Sequence, residues 1–203
     1  ITFKAEPSSD LTITAKASYA QNRTANSSWN YAPYACGLPS GLSQLTGLPC
    51  EADFITRQNN MPLDMAGDFP FARDDGKPYN RYRSFSATGN VVYEGDSFQI
   101  ASVSNYQWTN NRWMCVCDFQ TGDNSGTWAT ENSSWRAFSQ ELRVLTRFDG
   151  PFNFMLGGLY QTTKRDFAQF VAFAGLRDDT VAPRNRFLAS TKSSFTDGET
   201  LAV

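Results

Sequence analysis

In residues 11–20, LTITAKASYA, apolar and polar side chains alternate strictly from Leu11 to Tyr19. A period of two is typical of a β-strand with one apolar and one polar face. Residues 1–5 predict a second, shorter strand, and the intervening EPSSD contains Pro, Ser and Asp, which favour turns. The chain is therefore expected to open with a β-hairpin.

Further segments show the same kind of pattern and join into two more hairpins. The predicted strands lie near residues 1–5, 11–20, 84–93, 97–108, 137–148 and 152–163. Short turns close each hairpin, at EPSSD, EGD and DGP, whereas the connections between hairpins are long and irregular: residues 21–83, 109–136 and 164–203. The sequence thus predicts an all-β, antiparallel meander of about six strands, with short turns on one side and long loops on the other.

The alternation of short and long connections favours a membrane barrel. Structureless connections beyond about 12 to 15 residues are uncommon in compact soluble domains. Outer-membrane barrels, in contrast, combine short periplasmic turns with long extracellular loops, and their strands are apolar toward lipid. We therefore expect residues 1–203 to form part of a transmembrane β-barrel. Residues 164–176 fit a helix or a strand equally well, and this choice stays open.

Composition excludes several classes of function. Charged residues make up only 19% of the chain and aromatic residues 14%, which favours β structure over an ordinary soluble domain with about 25% charged residues. The formal charge of -2 offers no field that attracts nucleic acid. The sequence contains no histidine, so a Ser-His-Asp hydrolase is excluded and a metal site is disfavoured. We predict a protein that is not an enzyme and has no cofactor.

The four cysteines indicate an exported protein. Cys36 and Cys50 are predicted to form a disulfide, which is typical of oxidising compartments. Cys115 and Cys117 are separated by one residue, and their state stays open. The opening ITFKAEPSSD resembles neither a signal peptide nor a natural start, so we expect a processed or excised piece.

Three stretches carry a family resemblance: ITFKAEPSSDLTITAKASYAQ, then NVVYEGD followed by IASVSNY, and then SQELR, DGP and FMLGGLYQ in that order. Their resemblance is to barrel hairpins of TonB-dependent outer-membrane receptors. It implies a barrel in the bacterial outer membrane that imports a scarce extracellular ligand, of the metal chelate or saccharide class. It also implies outer-membrane lipid, a plug domain, the remaining barrel strands and an energy-coupling inner-membrane complex as partners. This chain contains no plug and no energy-coupling box, so it corresponds to a mid-barrel segment whose lipid face requires detergent or self-association.

Candidate binding residues come from the loops and from the lumen face. The loop aromatics are proposed to stack on the ligand or to pack the loops: Trp29, Tyr31, Tyr34, Trp113, Trp128 and Trp135. Three charged residues of the strand at 137–148 are expected to face the lumen: Glu141, Arg143 and Arg147. They form either a plug contact or a cross-strand charge ladder. A secreted, soluble all-β binding or adhesion module is the alternative function.

Overall fold

The computed structural model contains one antiparallel sheet of seven strands, in which each strand pairs with the next. The strands are β1 (Thr2–Ser8), β2 (Leu11–Thr24), β3 (Tyr79–Glu94), β4 (Phe98–Val116), β5 (Thr127–Thr146), β6 (Met155–Arg177) and β7 (Phe187–Ala202), and helix α1 (Leu63–Asp68) precedes β3. The structure describes residues 1–25, 39–42, 50, 60–117, 126–181 and 187–203. The predicted all-β meander is confirmed. Its sheet is open, with β1 and β7 at the edges.

The strands are longer than the sequence pattern indicates. The predicted loop 109–136 is largely strand, because β4 continues to Val116 and β5 begins at Thr127. The predicted loop 164–203 contains the rest of β6 and all of β7, so residues 164–176 form a strand. Asn, Ser and charged residues interrupt the apolar alternation in these outer parts. The backbone ladder continues there regardless, since its hydrogen bonds do not depend on side-chain polarity.

Short turns lie at one end of the sheet, which we call the short-turn end. At the first turn, Ser9 Oγ donates to Asp10 Oδ1 over 2.6 Å, and β1 continues through Pro7 to Ser8 as an irregular edge strand. In the second turn, Gly95 N donates to Phe98 O over 2.8 Å. A Cβ at Gly95 would lie 2.8 Å from the Phe98 ring, so a side chain at this position would displace that ring.

The third turn spans residues 147–154 and is longer than the predicted DGP turn. Asn153 closes it, since its Oδ1 accepts from Phe148 N over 2.7 Å and its Nδ2 donates to Phe148 O over 3.3 Å. All three short connections therefore lie at the same end of the sheet, as predicted. The opposite end, where residues 25–78, 117–126 and 178–186 connect the strands, is called the long-loop end.

A buried cluster lies at the long-loop end, where residues 60–76 pack on the sheet. Its buried members are Met61, Met65, Ala66, Tyr79, Met114, Val116, Trp128 and Ala172. Two hydrogen bonds fasten the segment: Tyr79 OH donates to Phe71 O over 2.5 Å, and Thr130 Oγ1 donates to Pro70 O over 2.7 Å. This cluster is the only hydrophobic core formed by the described residues.

Candidate functional site

The strand register divides the sheet residues between two faces of different polarity. Residues directly opposite across a strand pair share a face, and Leu142 of β5 lies opposite Ser102 of β4 and Gly158 of β6. We call the side that carries Leu142 the belt face. Glu141, the preceding residue of β5, lies on the other side, which we call the polar face.

Large apolar side chains cover the belt face in its half nearest the short turns. They form the apolar belt: Phe3, Leu11, Ile13, Tyr19, Phe85, Val91, Tyr93, Phe98, Ile100, Tyr106, Trp108, Phe138, Leu142, Val144, Leu156, Tyr160 and Leu201. The belt is not sealed: Tyr19 is 60% exposed, Leu142 49% and Leu156 69%. Contiguous exposed apolar patches of this kind mark surfaces that meet a membrane or another protein.

The belt has a defined length along the strands and aromatic residues at both ends. Along β4 it runs from Phe98 to Trp108, about 33 Å at a rise of about 3.3 Å per residue. In an outer-membrane barrel, strands tilted by about 40° would need this length to cross an apolar band about 25 Å tall. Tyr93 and Phe98 pack together at the short-turn end, with ring centroids 5.9 Å apart. Tyr19, Phe85 and Trp108 form one cross-strand row at the other end.

The polar face brings the predicted charged residues into local ion pairs. Arg143 Nε lies 2.8 Å from Glu141 Oε1 within β5. Arg147 Nη1 lies 2.5 Å from Glu94 Oε2 at the end of β3. All four side chains are more than a third exposed, so each pair contributes about 0 to 1 kcal/mol to stability. Glu141 and Arg143 therefore pair along one strand, and Arg147 pairs with Glu94 from the turn that follows β5.

Several apolar residues interrupt the polar face near the short turns, among them Val92 and Val103. Leu145 lies directly opposite Met155, and Leu159 lies opposite Glu141. Met155 is 69% exposed. The division between the two faces is therefore incomplete at this corner of the sheet.

The described tryptophans lie in strands, which corrects their prediction as loop residues. Trp113 belongs to β4, and Trp128 and Trp135 belong to β5. Trp128 is 3% exposed within the buried cluster, so it serves packing. Trp113 and Trp135 lie on the polar face near the long-loop end. The other three candidates, Trp29, Tyr31 and Tyr34, lie outside the residues that the structure describes.

Polar groups surround Trp113 and make a mixed aromatic and hydrogen-bonding surface, which we call the upper polar patch. Glu131 lies directly opposite Trp113 and accepts a hydrogen bond from it. Gln169 Nε2 donates to Glu131 Oε2 over 3.2 Å. The patch comprises Tyr82, Asn111, Trp113, Glu131, Trp135, Arg165, Phe167 and Gln169. Stacking rings beside amide and carboxylate groups suit a polar ligand with apolar surfaces, such as a saccharide or an aromatic chelate.

Sequence reasoning identified two tryptophans of this patch and missed its polar members. Glu131 and Gln169 lie in segments predicted as loops, so their facing was not assigned. One sequence signal could have located Glu131. Glu131, Ser133 and Trp135 are two residues apart from one another, and this spacing continues the polar face of the strand predicted at 137–148.

Disulfides involve the described cysteines. Cys115 and Cys117 are bonded to each other, with their Cα atoms 5.5 Å apart. Cys50 is also disulfide-bonded, and Cys36, its predicted partner, lies outside the described residues.

The described part of the chain holds neither a metal-ligand cluster nor a membrane-spanning helix. No group of three His, Cys, Asp or Glu residues there is arranged to hold a metal ion. The helical content there is α1, and no described helix has the length and hydropathy to cross a membrane.

No protein-family model, curated protein or solved structure matches the chain. The two faces of the sheet and the upper polar patch are therefore the features that bear on function.

Proposed function

We propose that this chain forms part of the barrel wall of a TonB-dependent receptor in the bacterial outer membrane. Such a receptor binds a scarce extracellular ligand, of the metal chelate or saccharide class, and imports it. The exposed apolar belt carries this proposal, because its height and aromatic ends suit a bilayer while the opposite face is polar. The hairpin resemblance in the sequence supports the same assignment.

In this proposal the belt face contacts lipid and the polar face lines the lumen. The short turns face the periplasm and the long-loop end faces the outside. Strands β3 to β6 have 16 to 23 residues, whereas about 9 to 11 residues span the bilayer. The surplus projects beyond the belt at the long-loop end, where the buried cluster and the upper polar patch lie.

The remaining strands of the barrel pair with the sheet edges in this proposal. β1 and β7 are the edges among the described strands, and an unpaired edge is a template for further strands. A plug domain lies against the polar face, near Glu141 and Arg143, and the energy-coupling complex acts on that plug from the inner membrane.

Ligand recognition is assigned to the upper polar patch. Trp113 and Trp135 supply flat apolar surfaces, and Glu131 and Gln169 supply hydrogen-bonding groups within the same region of β4 to β6. The patch faces the lumen near its outer mouth in this arrangement. A ligand that arrives from outside therefore meets it before it meets the plug.

A secreted soluble binding module is the second candidate, and the apolar corner of the polar face favours it. Leu145, Met155 and Leu159 would pack in the core of a two-sheet sandwich. That module requires the belt to be sealed as well, and the exposure of Tyr19 and Leu156 weighs against it.

Flotation with vesicles tests the membrane assignment. The full chain is folded with phosphatidylcholine vesicles, washed with urea and centrifuged through a density gradient. We expect it to float with the vesicles and to aggregate when lipid and detergent are both omitted. A monodisperse, detergent-free monomer that stays at the bottom of the gradient contradicts the proposal and favours the soluble module.

A further inference from the structure

Three arginines lie side by side in one cross-strand row on the belt face. This row is two residues farther from the apolar belt than Arg83. Arg23 of β2 lies directly opposite Arg81 of β3, which lies directly opposite Arg112 of β4. Arg83 is the next residue of β3 on the same face toward the belt. All four side chains are exposed. Like charges directly opposite each other destabilise a sheet, so this arginine cluster calls for an anion.

Among the described residues, no ion pair within 4 Å joins a carboxylate to the cluster. The ion pairs within 4 Å among residues 1–25, 39–42, 50, 60–117, 126–181 and 187–203 involve other basic side chains. Asp166 shares the cross-strand row of Arg83 but lies three strands away, about 14 Å at a strand spacing of about 4.8 Å. Within the described residues, the four guanidinium groups are therefore exposed and have no carboxylate within 4 Å.

Neutral groups hold two of the guanidinium groups in place. The Arg112 guanidinium lies 5.0 Å from the Phe71 ring centroid, and its Nε donates to Asn132 Oδ1 over 3.3 Å. The Arg81 guanidinium lies 5.3 Å from the Tyr79 ring centroid. These contacts orient the charges without neutralising them. The packed segment 60–76 thus contributes to a preorganised basic surface.

The cluster lies at a defined depth relative to the apolar belt. The aromatic row of Tyr19, Phe85 and Trp108 ends the belt, and Arg83 follows Phe85 by two positions in the same strand. Arg83 is therefore about 7 Å beyond the belt along the strand, and the arginine row about 13 Å beyond it. With strand tilt, and with arginine side chains that reach back toward the belt, the guanidinium groups lie at the level of lipid headgroups.

We propose that Arg23, Arg81, Arg83 and Arg112 bind the phosphate of a membrane lipid headgroup in the leaflet at the long-loop end. This inference rests on the proposed membrane location. Guanidinium groups bind phosphate oxygens through paired, charge-assisted hydrogen bonds. One phosphate between neighbouring strands relieves the repulsion within the row. The bound lipid fixes the depth of the sheet in the membrane.

Native mass spectrometry in detergent micelles tests the proposal with phosphatidic acid as the phosphate-bearing probe and phosphatidylcholine as the reference. The full chain is compared with the triple variant Arg81→Gln, Arg83→Gln, Arg112→Gln. A matched control, Lys4→Gln, Lys16→Gln, Lys192→Gln, removes the same charge from the polar face. We expect wild type and control to retain phosphatidic acid preferentially. In the arginine variant, the preference for phosphatidic acid over phosphatidylcholine should be at least about tenfold weaker. Each basic residue near an anionic surface contributes about fivefold to binding.

Equal phosphatidic acid retention by the arginine variant and the control overturns the inference, whether the cluster is empty or binds an acidic protein segment. Far-UV circular dichroism and vesicle flotation accompany the measurement. If all three chains float but retain the probe equally, the lipid-phosphate inference fails and the membrane assignment stands. If wild type does not float, both fail. The single variant Arg83→Gln repeats the test without touching the ring contacts of Arg81 and Arg112, in case the triple variant loses its β signal.

Discussion

Glu141 and Leu142 are consecutive residues of β5 and lie on opposite faces of the sheet. Glu141 forms an ion pair with Arg143, 2.8 Å between Nε and Oε1, whereas Leu142 is 49% exposed in the middle of the apolar belt. In the proposed function, these two neighbours contact different environments. Glu141 faces the aqueous lumen, and Leu142 faces lipid.

Arginine introduced into the belt should impair membrane insertion. We expect Leu142→Arg to lower stability in a bilayer by about 2 to 4 kcal/mol, because a cation on the lipid face must leave water. Ser139→Arg places the same side chain on the polar face of the same strand and should cost less than about 1 kcal/mol. Urea titration of vesicle-bound chain, followed by tryptophan fluorescence, measures both. Equal costs at the two positions would contradict the assignment of faces.

Truncation of Trp128 should weaken the buried cluster. The side chain is 3% exposed among Met61, Met65 and Met114, and Trp→Ala in a core costs about 3 to 5 kcal/mol. Trp113→Ala, in the upper polar patch, should cost clearly less and serves as the comparison. Hydrogen exchange of residues 60–76 reports the local loss. Unchanged exchange in the Trp128 variant would show that this packing is unimportant.

Gly76 should not tolerate a side chain. Its φ of +65° lies in the region that favours glycine, and an added Cβ would lie 2.1 Å from Met61 O. We expect Gly76→Ala to destabilise the chain by more than about 1 kcal/mol. Gly67 in α1 has open space around its Cβ position, so Gly67→Ala should stabilise by up to about 1 kcal/mol. Urea unfolding should show opposite signs for these two substitutions, and a loss in both would count against the described turn.

The loop carboxylate of Asp75 should make stability depend on acid pH. The backbone N–H of Lys77, 3.1 Å from Asp75 Oδ1, and the Arg73 guanidinium lower the pKa of Asp75 below 3.8. A carboxyl whose folded pKa is depressed stabilises the fold above its unfolded pKa of 3.8, and this contribution is lost as pH falls through the folded pKa. Asp75→Asn should flatten this part of the stability profile. Carboxyl NMR titration measures the pKa directly, and a value above 3.8 would contradict this account.

The hairpins near the short turns were predictable because their two faces differ in polarity. Residues 11–20 alternate between apolar and polar side chains. The structure pairs them with residues 84–93, as expected for an antiparallel meander. Beyond Tyr19 the signal disappears, since Gln21 and Arg23 make the belt face as polar as the other side. Strand continuation there is decided by backbone pairing and by the packing of residues 60–76, and neither leaves a period of two in the sequence.

The candidate site was only partly predictable for a related reason. Trp113 and Trp135 stand out as aromatic residues, but their partners Glu131 and Gln169 are ordinary polar residues until register places them beside the rings. The arginine cluster was also hidden. Arg23, Arg81 and Arg112 are far apart in sequence and become neighbours only through strand pairing.

Site-directed spin labelling along β5 tests the central claim most directly. Single cysteines replace residues 138 to 144 in turn and are labelled without reductant, because Cys50, Cys115 and Cys117 are disulfide-bonded. In vesicles, labels at Phe138, Gln140, Leu142 and Val144 should collide mainly with dissolved oxygen, as lipid-facing sites do. Labels at Ser139, Glu141 and Arg143 should collide mainly with a water-soluble nickel chelate. A period of two in this contrast is the result that the account predicts, and equal water accessibility on both faces would contradict it.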